Sequence, residues 1–223
     1  MATFEIVEKQ GLKMIKATIQ NELIRSEAGE LHYMRGQVQM DVAAPTAGGL
    51  LKALAAGESL VRPTYHGTGE VFFGPPIFGE YTMLDLQNHH WILDRGAYCC
   101  SDAGIEVGVW RNKSLTGIFG TEGLWQTTIQ GTGRVVIKSA GPLEAIDLAN
   151  DRLVVDGNFA VARTGSLTLT YQKATKGFMA AAASGEGFVN VIEGSGRVLI
   201  SPVPNLWHSL VESIVAAIPV SSS

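Results

Sequence analysis

The sequence predicts an all-β fold assembled from three similar units, and three observations predict it. Gly67-Thr68-Gly69-Glu70-Val71 recurs as Gly131-Thr132-Gly133-Arg134-Val135 and again as Gly194-Ser195-Gly196-Arg197-Val198, at steps of 64 and 63 residues. Glu58-Ser59-Leu60, Glu122-Gly123-Leu124 and Glu186-Gly187-Phe188 repeat at steps of 64. Each unit also holds a run with apolar residues at every second position, the period of a strand with one buried face. A 64-residue step is too long for the common helical solenoids. The predicted architecture is a double-stranded β-helix or β-sandwich of three pseudo-repeats, over about 14–83, 84–145 and 146–203. Each unit needs its siblings to bury its apolar face, so residues 1–223 are expected to close around one common core as a single domain.

The elements follow in chain order. Val38, Met40 and Val42, between Gln37, Gln39 and Asp41, predict a strand with one buried face. Leu50 to Ala56 are good helix formers ending at Gly57, which predicts a short helix near 50–56 with a glycine C-cap. Leu84-Asp85-Leu86 ahead of Trp91-Ile92-Leu93-Asp94 returns as Ile146-Asp147-Leu148 ahead of Leu153-Val154-Val155-Asp156, shifted by 62. The adjacent Cys99 and Cys100 are expected on opposite faces of a strand, one buried and one outward, with no disulfide or metal clamp between them. Ile105, Val107 and Val109, then Leu167, Leu169 and Tyr171, supply the alternating runs of the second and third units. Among 26 glycines the Gly-x-Gly pairs read as turns leading into strands such as Val135-Val136-Ile137. After Pro204, Asn205 is a suitable N-cap for a helix over 205–218. Its apolar stripe is Leu206, Trp207, Leu210, Val211, Ile214, Val215 and Ile218, expected to dock on the protein's own sheet or to meet a partner.

Composition excludes several functions. The chain has 17 Lys plus Arg against 21 Asp plus Glu, for a net charge of −4 over 223 residues. Dispersed basic residues in an acidic chain argue against nucleic acid as a partner. Only 17% of residues are charged, against about 25% in an average soluble chain. The surface is therefore expected to hold wide uncharged stretches that meet another subunit. No window of 18 uninterrupted apolar residues would make a membrane-spanning helix. The start, Met1-Ala2-Thr3-Phe4-Glu5, lacks a signal-like pattern, so a cytoplasmic location is expected, with membrane contact at most peripheral.

Reactive constellations are missing. Pseudo-threefold repetition would allow Glu58, Glu122 and Glu186 to converge on a hard cation, but carboxylates accepting backbone N–H bonds beside a small residue explain them as structural motif positions. His32, His66, His89, His90 and His208 lack the His-x-His spacing of a cupin metal site, and His89-His90 reads as a solvated turn. The Gly-x-Gly pairs run into strands rather than opening a helix, so they form no dinucleotide site. No nucleophile-elbow motif is present. No catalytic residue, metal or cofactor is assigned.

With Gly48-Gly49-Leu50-Leu51-Lys52-Ala53-Leu54, Gly57-Glu58-Ser59-Leu60, the Gly-x-Gly-x-Val repeats and Leu153-Val154-Val155-Asp156, the chain resembles the altered-inheritance-of-mitochondria protein 24 family over residues 14–201. The resemblance implies a β-rich fold related in shape to the tryptophan RNA-binding attenuator protein, assembled as a homo-oligomer, with a trimer favoured. Mitochondrial relatives are linked to inner-membrane organisation and respiratory-complex assembly. The expected function is a non-catalytic homo-oligomeric scaffold or interaction protein. The alternatives are a cupin-like small-molecule or metal-binding enzyme and, by fold analogy, an RNA-binding protein.

Overall fold

The computed structural model describes residues 2–42, 62–74, 79–112, 124–156, 159–173, 188–204, 210, 213 and 214. Among them thirteen strands form: β1 (Thr3–Lys9), β2 (Leu12–Ser26), β3 (Leu31–Asp41), β4 (Thr64–Phe73), β5 (Glu80–Gln87), β6 (Trp91–Leu93) and β7 (Tyr98–Asp102). The series continues with β8 (Ile105–Asn112), β9 (Leu124–Ser139), β10 (Glu144–Asp156), β11 (Ala160–Thr164), β12 (Thr168–Lys173) and β13 (Phe188–Ile200). The expected all-β class is what forms. All thirteen join one hydrogen-bonded sheet with a main path β10-β13-β11-β6-β9-β7-β2-β4-β3, and β1, β5, β8 and β12 pair at its sides. This path is open, and no ladder among the described residues joins β10 to β3 to close a barrel.

Every ladder is antiparallel, as short connections allow. The first hairpin shows the local logic: Gln10 and Gly11 between β1 and β2 both have positive φ, 52° and 80°, the conformation of a two-residue turn whose twist matches its strands. Long strands are shared. β9 pairs with β8 and β6 through its first half and with β5 and β7 through its second.

The apolar residues gather in three adjoining clusters rather than the single core expected. The first holds Phe4, Ile15, Ile19, Val71, Phe73 and Tyr81. The second centres on Leu93, Tyr98, Ile105, Ile129 and Ile137, and the third on Leu148, Leu167, Leu169, Ile192 and Val198. The separation follows from the extended sheet, since each long Gly-x-Gly strand covers its own patch. Neighbouring patches stay linked: Val136 of β9 belongs to the first cluster while Val135 and Ile137 belong to the second.

Two expectations about faces fail. The alternation in β3 does not mark a buried face, because the strand has no buried residue and Met40 and Val42 are 44% and 51% exposed. Alternation specifies a sheet face, not what covers it. In contrast, Ile105, Leu167 and Leu169 are buried. Cys99 and Cys100 do not split between faces either. A register shift between Tyr98 and Cys100 places Cys99 in a bulge, and both thiols are fully buried. Burial pushes the Cys100 thiol well above its ordinary range, with Cys99 beside it. The Cys99 thiol points at Glu30 Oε2, 3.9 Å away. Thiolate is the reactive form, so native protein is expected to react slowly with an aromatic disulfide reagent and to yield both thiols only in denaturant. A fast native thiol would contradict this packing.

The helix expected near 50–56 lies outside the described residues. Of the helix expected over 205–218, Leu210, Ser213 and Ile214 are described and helical, with Leu210 48% and Ile214 52% exposed. Leu206, Trp207, Val211 and Ile218 lie outside the described residues.

Candidate functional site

The six motif glycines sit inside strands, not in the turns expected of them. Gly67 and Gly69 lie in β4, Gly131 and Gly133 in β9, and Gly194 and Gly196 in β13. Five of the six have positive φ, between 115° and 157°, and Gly196 does not. Space is the second constraint. A Cβ on Gly67 would stand 2.1 Å from the Gln37 carbonyl oxygen, and one on Gly131 2.2 Å from that of Gly104. For Gly196 the obstacle is Thr164 Oγ1, at 2.1 Å. Neighbouring backbone therefore crosses at Gly67, Gly69 and Gly131, where only glycine leaves room, while Gly133 and Gly196 face the side chains of Asp102 and Thr164 and Gly194 has ordinary contacts.

Opposite each pair an asparagine with left-handed backbone lies in the partner strand or directly after it: Asn21 in β2, Asn88 after β5 and Asn150 in β10, at φ 59°, 58° and 53°. Asn21 and Asn150 fall in register shifts of β2 against β4 and β10 against β13. The Asn88 N–H donates to the Gly131 carbonyl at 2.8 Å, and the Asn150 N–H to Ser195 Oγ at 2.8 Å. Sequence reading missed these asparagines, although their spacings of 67 and 62 residues track the glycine repeat. Asparagine tolerates left-handed backbone better than most residues.

The residue after the second glycine carries charge. Arg134 Nε donates to Asp85 Oδ1 at 2.9 Å. Arg197 holds Asp147 with two bonds of 2.6 and 2.9 Å and lowers its carboxyl below the ordinary range. The first copy reverses the sign: Glu70 lies 3.2 Å from Lys16 and 3.3 Å from Arg35. These pairs are exposed or partly exposed to solvent and fasten strands weakly.

No described cluster of His, Cys, Asp or Glu would hold a metal ion. Glu58, Glu122 and Glu186 lie outside the described residues. His66 Nδ1 lies 3.2 Å from Asp41 Oδ2, with both side chains well exposed. His89 and His90 are exposed after β5, as expected, and the His90 ring covers Gly165.

A polar cavity among the described residues surrounds Arg163 of β11. Arg163 is 4% exposed, and its guanidinium lies 5.4 Å from the Trp110 ring centre and leaves Nε and Nη2 without a protein hydrogen-bond partner. Burial lowers its pKa to about 10, and the nearby Asp94 opposes that shift. Ile92, Gln126, Leu169, Tyr171 and Asn190 are among the residues that line a cavity of about 20 Å³ with it. Burial pushes the Tyr171 hydroxyl up to about 12. A water needs roughly 10–15 Å³ of such space, whereas ligand pockets run to several hundred Å³. The cavity therefore suits a water bridging Arg163 to the carbonyl oxygens of Asn190 and Gln126, not a substrate. Nothing in the sequence marks it, because Arg163 becomes buried only when β11 pairs with β6.

A buried cation with unpaired N–H groups contributes little to stability, and an apolar side chain of similar volume is often neutral or stabilising by about 1–4 kcal/mol. Since the folded pKa of Arg163 is depressed, its cost is fully present below about pH 10 and is relieved only as pH rises from there toward the unfolded value. Arg163→Met is expected to be at least as stable as the native chain in urea denaturation at pH 7. A loss above about 2 kcal/mol would show that the guanidinium is anchored by a bound group.

Comparison with known proteins adds the following. The family model described as "Mitochondrial biogenesis AIM24" matches residues 4–203. An uncharacterized protein of Streptococcus pyogenes serotype M6 is 26% identical over 156 residues, covering 69% of this chain and 62% of that protein. The chain thus spans less than two thirds of that curated relative's length. The crystal structure of a Streptococcus pyogenes protein, SPYM3_0169, superposes with a TM-score of 0.76 at 20% identity, covering 98% of this chain and 100% of that one. This similarity establishes the shared fold.

Proposed function

The chain belongs to the Mitochondrial biogenesis AIM24 family, and from that premise we propose that it acts as a non-catalytic scaffold that assembles with copies of itself. The observation that carries this reading is β3. It is an eleven-residue strand at one end of the sheet path, with Tyr33, Met34 and Met40 between 41% and 52% exposed. A long exposed apolar edge is a pairing template that proteins cover or blunt with charge. β3 carries Arg35 and Asp41 as its fixed charges.

Three structural units, one around each of β4, β9 and β13, fit the repeated motifs, the opposed asparagines and the three apolar clusters. A single domain over 1–223 fits the strands that adjoining clusters share. No described helix is long and apolar enough to cross a membrane; a cytoplasmic protein with at most peripheral membrane contact is our reading of location. The exposed apolar Leu210 and Ile214 support a contact role for the C-terminal helix, with a protein partner as its occupant. Basic side chains matched to carboxylates, such as Lys13 with Glu80, Lys138 with Glu30 and Arg134 with Asp85, weigh against a nucleic-acid groove.

Light scattering at micromolar concentration tests the reading. We expect a discrete multiple of 23.8 kDa, with the trimer favoured. A monomer at that concentration overturns it.

A further inference from the structure

We propose, building on the assembly reading above, that copies of this chain join head to tail, residues 153–155 of β10 in one copy adding antiparallel to residues 33–35 of β3 in the next. The same junction is already used twice within the chain. In the first, Ile24, Arg25 and Ser26 at the end of β2 pair with Asp102, Ser101 and Cys100 of β7. In the second, Trp91, Ile92 and Leu93 of β6 pair with Thr164, Arg163 and Ala162 of β11.

The two junctions have one register. Counted from the Gly-x-Gly strands, Ile24 faces Tyr65, Trp91 faces Ile129 and Leu153 faces Ile192, each two residues before the first glycine of its motif. On the accepting side, Ser101 faces Val135, Arg163 faces Val198 and Met34 faces Val71, each the valine of its motif. The third junction is therefore fully specified: Leu153 opposite Arg35, Val154 opposite Met34, and Val155 opposite Tyr33.

Finer detail repeats as well. The accepting strands shift register at the residue before the junction, at Cys99, Val161 and His32. The Cys99 carbonyl accepts the Glu27 N–H at 2.8 Å, and the Val161 carbonyl accepts the Asp94 N–H at 2.8 Å. Glu27 and Asp94 directly follow Ser26 and Leu93. Asp156 directly follows Val155, so its N–H is the counterpart donor for the His32 carbonyl of the next copy.

Exposure separates the third junction from the other two. At the internal junctions the corresponding residues are covered: Cys100, Ser101, Ala162 and Arg163 of the accepting strands and Ile92 of a donating one are at most 4% exposed. Their counterparts Tyr33, Met34 and Val154 are 52%, 41% and 47% exposed, whereas Val155, the counterpart of Ser26 and Leu93, is already covered at 7%. β10 and β3 are the two ends of the main strand path. One chain therefore presents a donor edge and an acceptor edge of matching register, and a second copy supplies what each lacks. Such a heterologous contact closes into a ring or runs on as a filament.

Lysine on either edge places a charge against the apolar partner. Met34→Lys and Val154→Lys are each expected to abolish assembly, while far-UV circular dichroism stays native because both positions are exposed. Mixed in equal amounts, they are expected to restore a complex of two chains, since Met34→Lys keeps its β10 edge and Val154→Lys keeps its β3 edge. If the native chain assembles and both variants assemble equally well, this surface is overturned while the scaffold reading stands. If Met34→Lys dissociates the assembly and Val154→Lys does not, an edge-to-edge contact of β3 with itself replaces the head-to-tail one. A monomeric native chain overturns the scaffold reading itself.

Discussion

Gly131→Ala is expected to lower the unfolding free energy by about 2–5 kcal/mol. At φ 125° an L side chain is strained, and the new Cβ would meet the Gly104 carbonyl oxygen at 2.2 Å, a backbone atom that cannot rotate away. Either β9 or the turn between β7 and β8 must move, and β9 holds the middle of the sheet together. Gly29→Ala provides the comparison. Gly29 also has positive φ, 87°, but a Cβ there would meet nothing within 4 Å, so a loss of only about 1 kcal/mol is expected from backbone conformation alone. Equal losses in the two variants, measured by urea denaturation, would show that close backbone approach is not what fixes glycine in the repeated motif.

Phe73→Ala is expected to cost about 3–5 kcal/mol. Phe73 is fully buried at the end of β4 and meets the Tyr65 ring edge-on at a centroid distance of 5.5 Å. The form of the transition is as informative as its midpoint. β9 contributes Val136 to the cluster around Phe73 and Ile137 to the next, so damage to the first cluster is expected to lower the whole transition as one step. Two resolved steps, one unchanged from the native chain, would mean that the clusters fold as separate domains.

The strand content and the step of the repeat were legible because both are written in local residue patterns. The Gly-x-Gly motif marked the right positions and the wrong geometry. A glycine required for positive φ in a turn has the same sequence appearance as one required where two strands nearly touch, and only the opposed Asn21, Asn88 and Asn150 distinguish the cases. The alternation of Val38, Met40 and Val42 correctly indicated a strand, but whether a sheet face is covered depends on the partner layer, which the strand's own residues do not encode. The bulge that buries Cys99 and Cys100 together arises from pairing with β9 and β2, both distant in sequence. Arg163 was illegible for the same reason: its neighbours come from five other strands, and no local pattern anticipates a buried guanidinium beside a water-sized cavity. The register match between the edges of β3 and β10 becomes visible only when the pairings are laid against the repeated motif.

Backbone amide exchange in the native chain, followed peptide by peptide at micromolar concentration, tests the central claim most directly. If copies pair through these edges, peptides covering residues 33–35 and 153–156 are protected as strongly as those covering the internal junctions at 24–26 and 100–102. Dilution below the assembly concentration then releases the first set and leaves the second unchanged. Rapid exchange of residues 33–35 in chains that are demonstrably assembled would contradict the account.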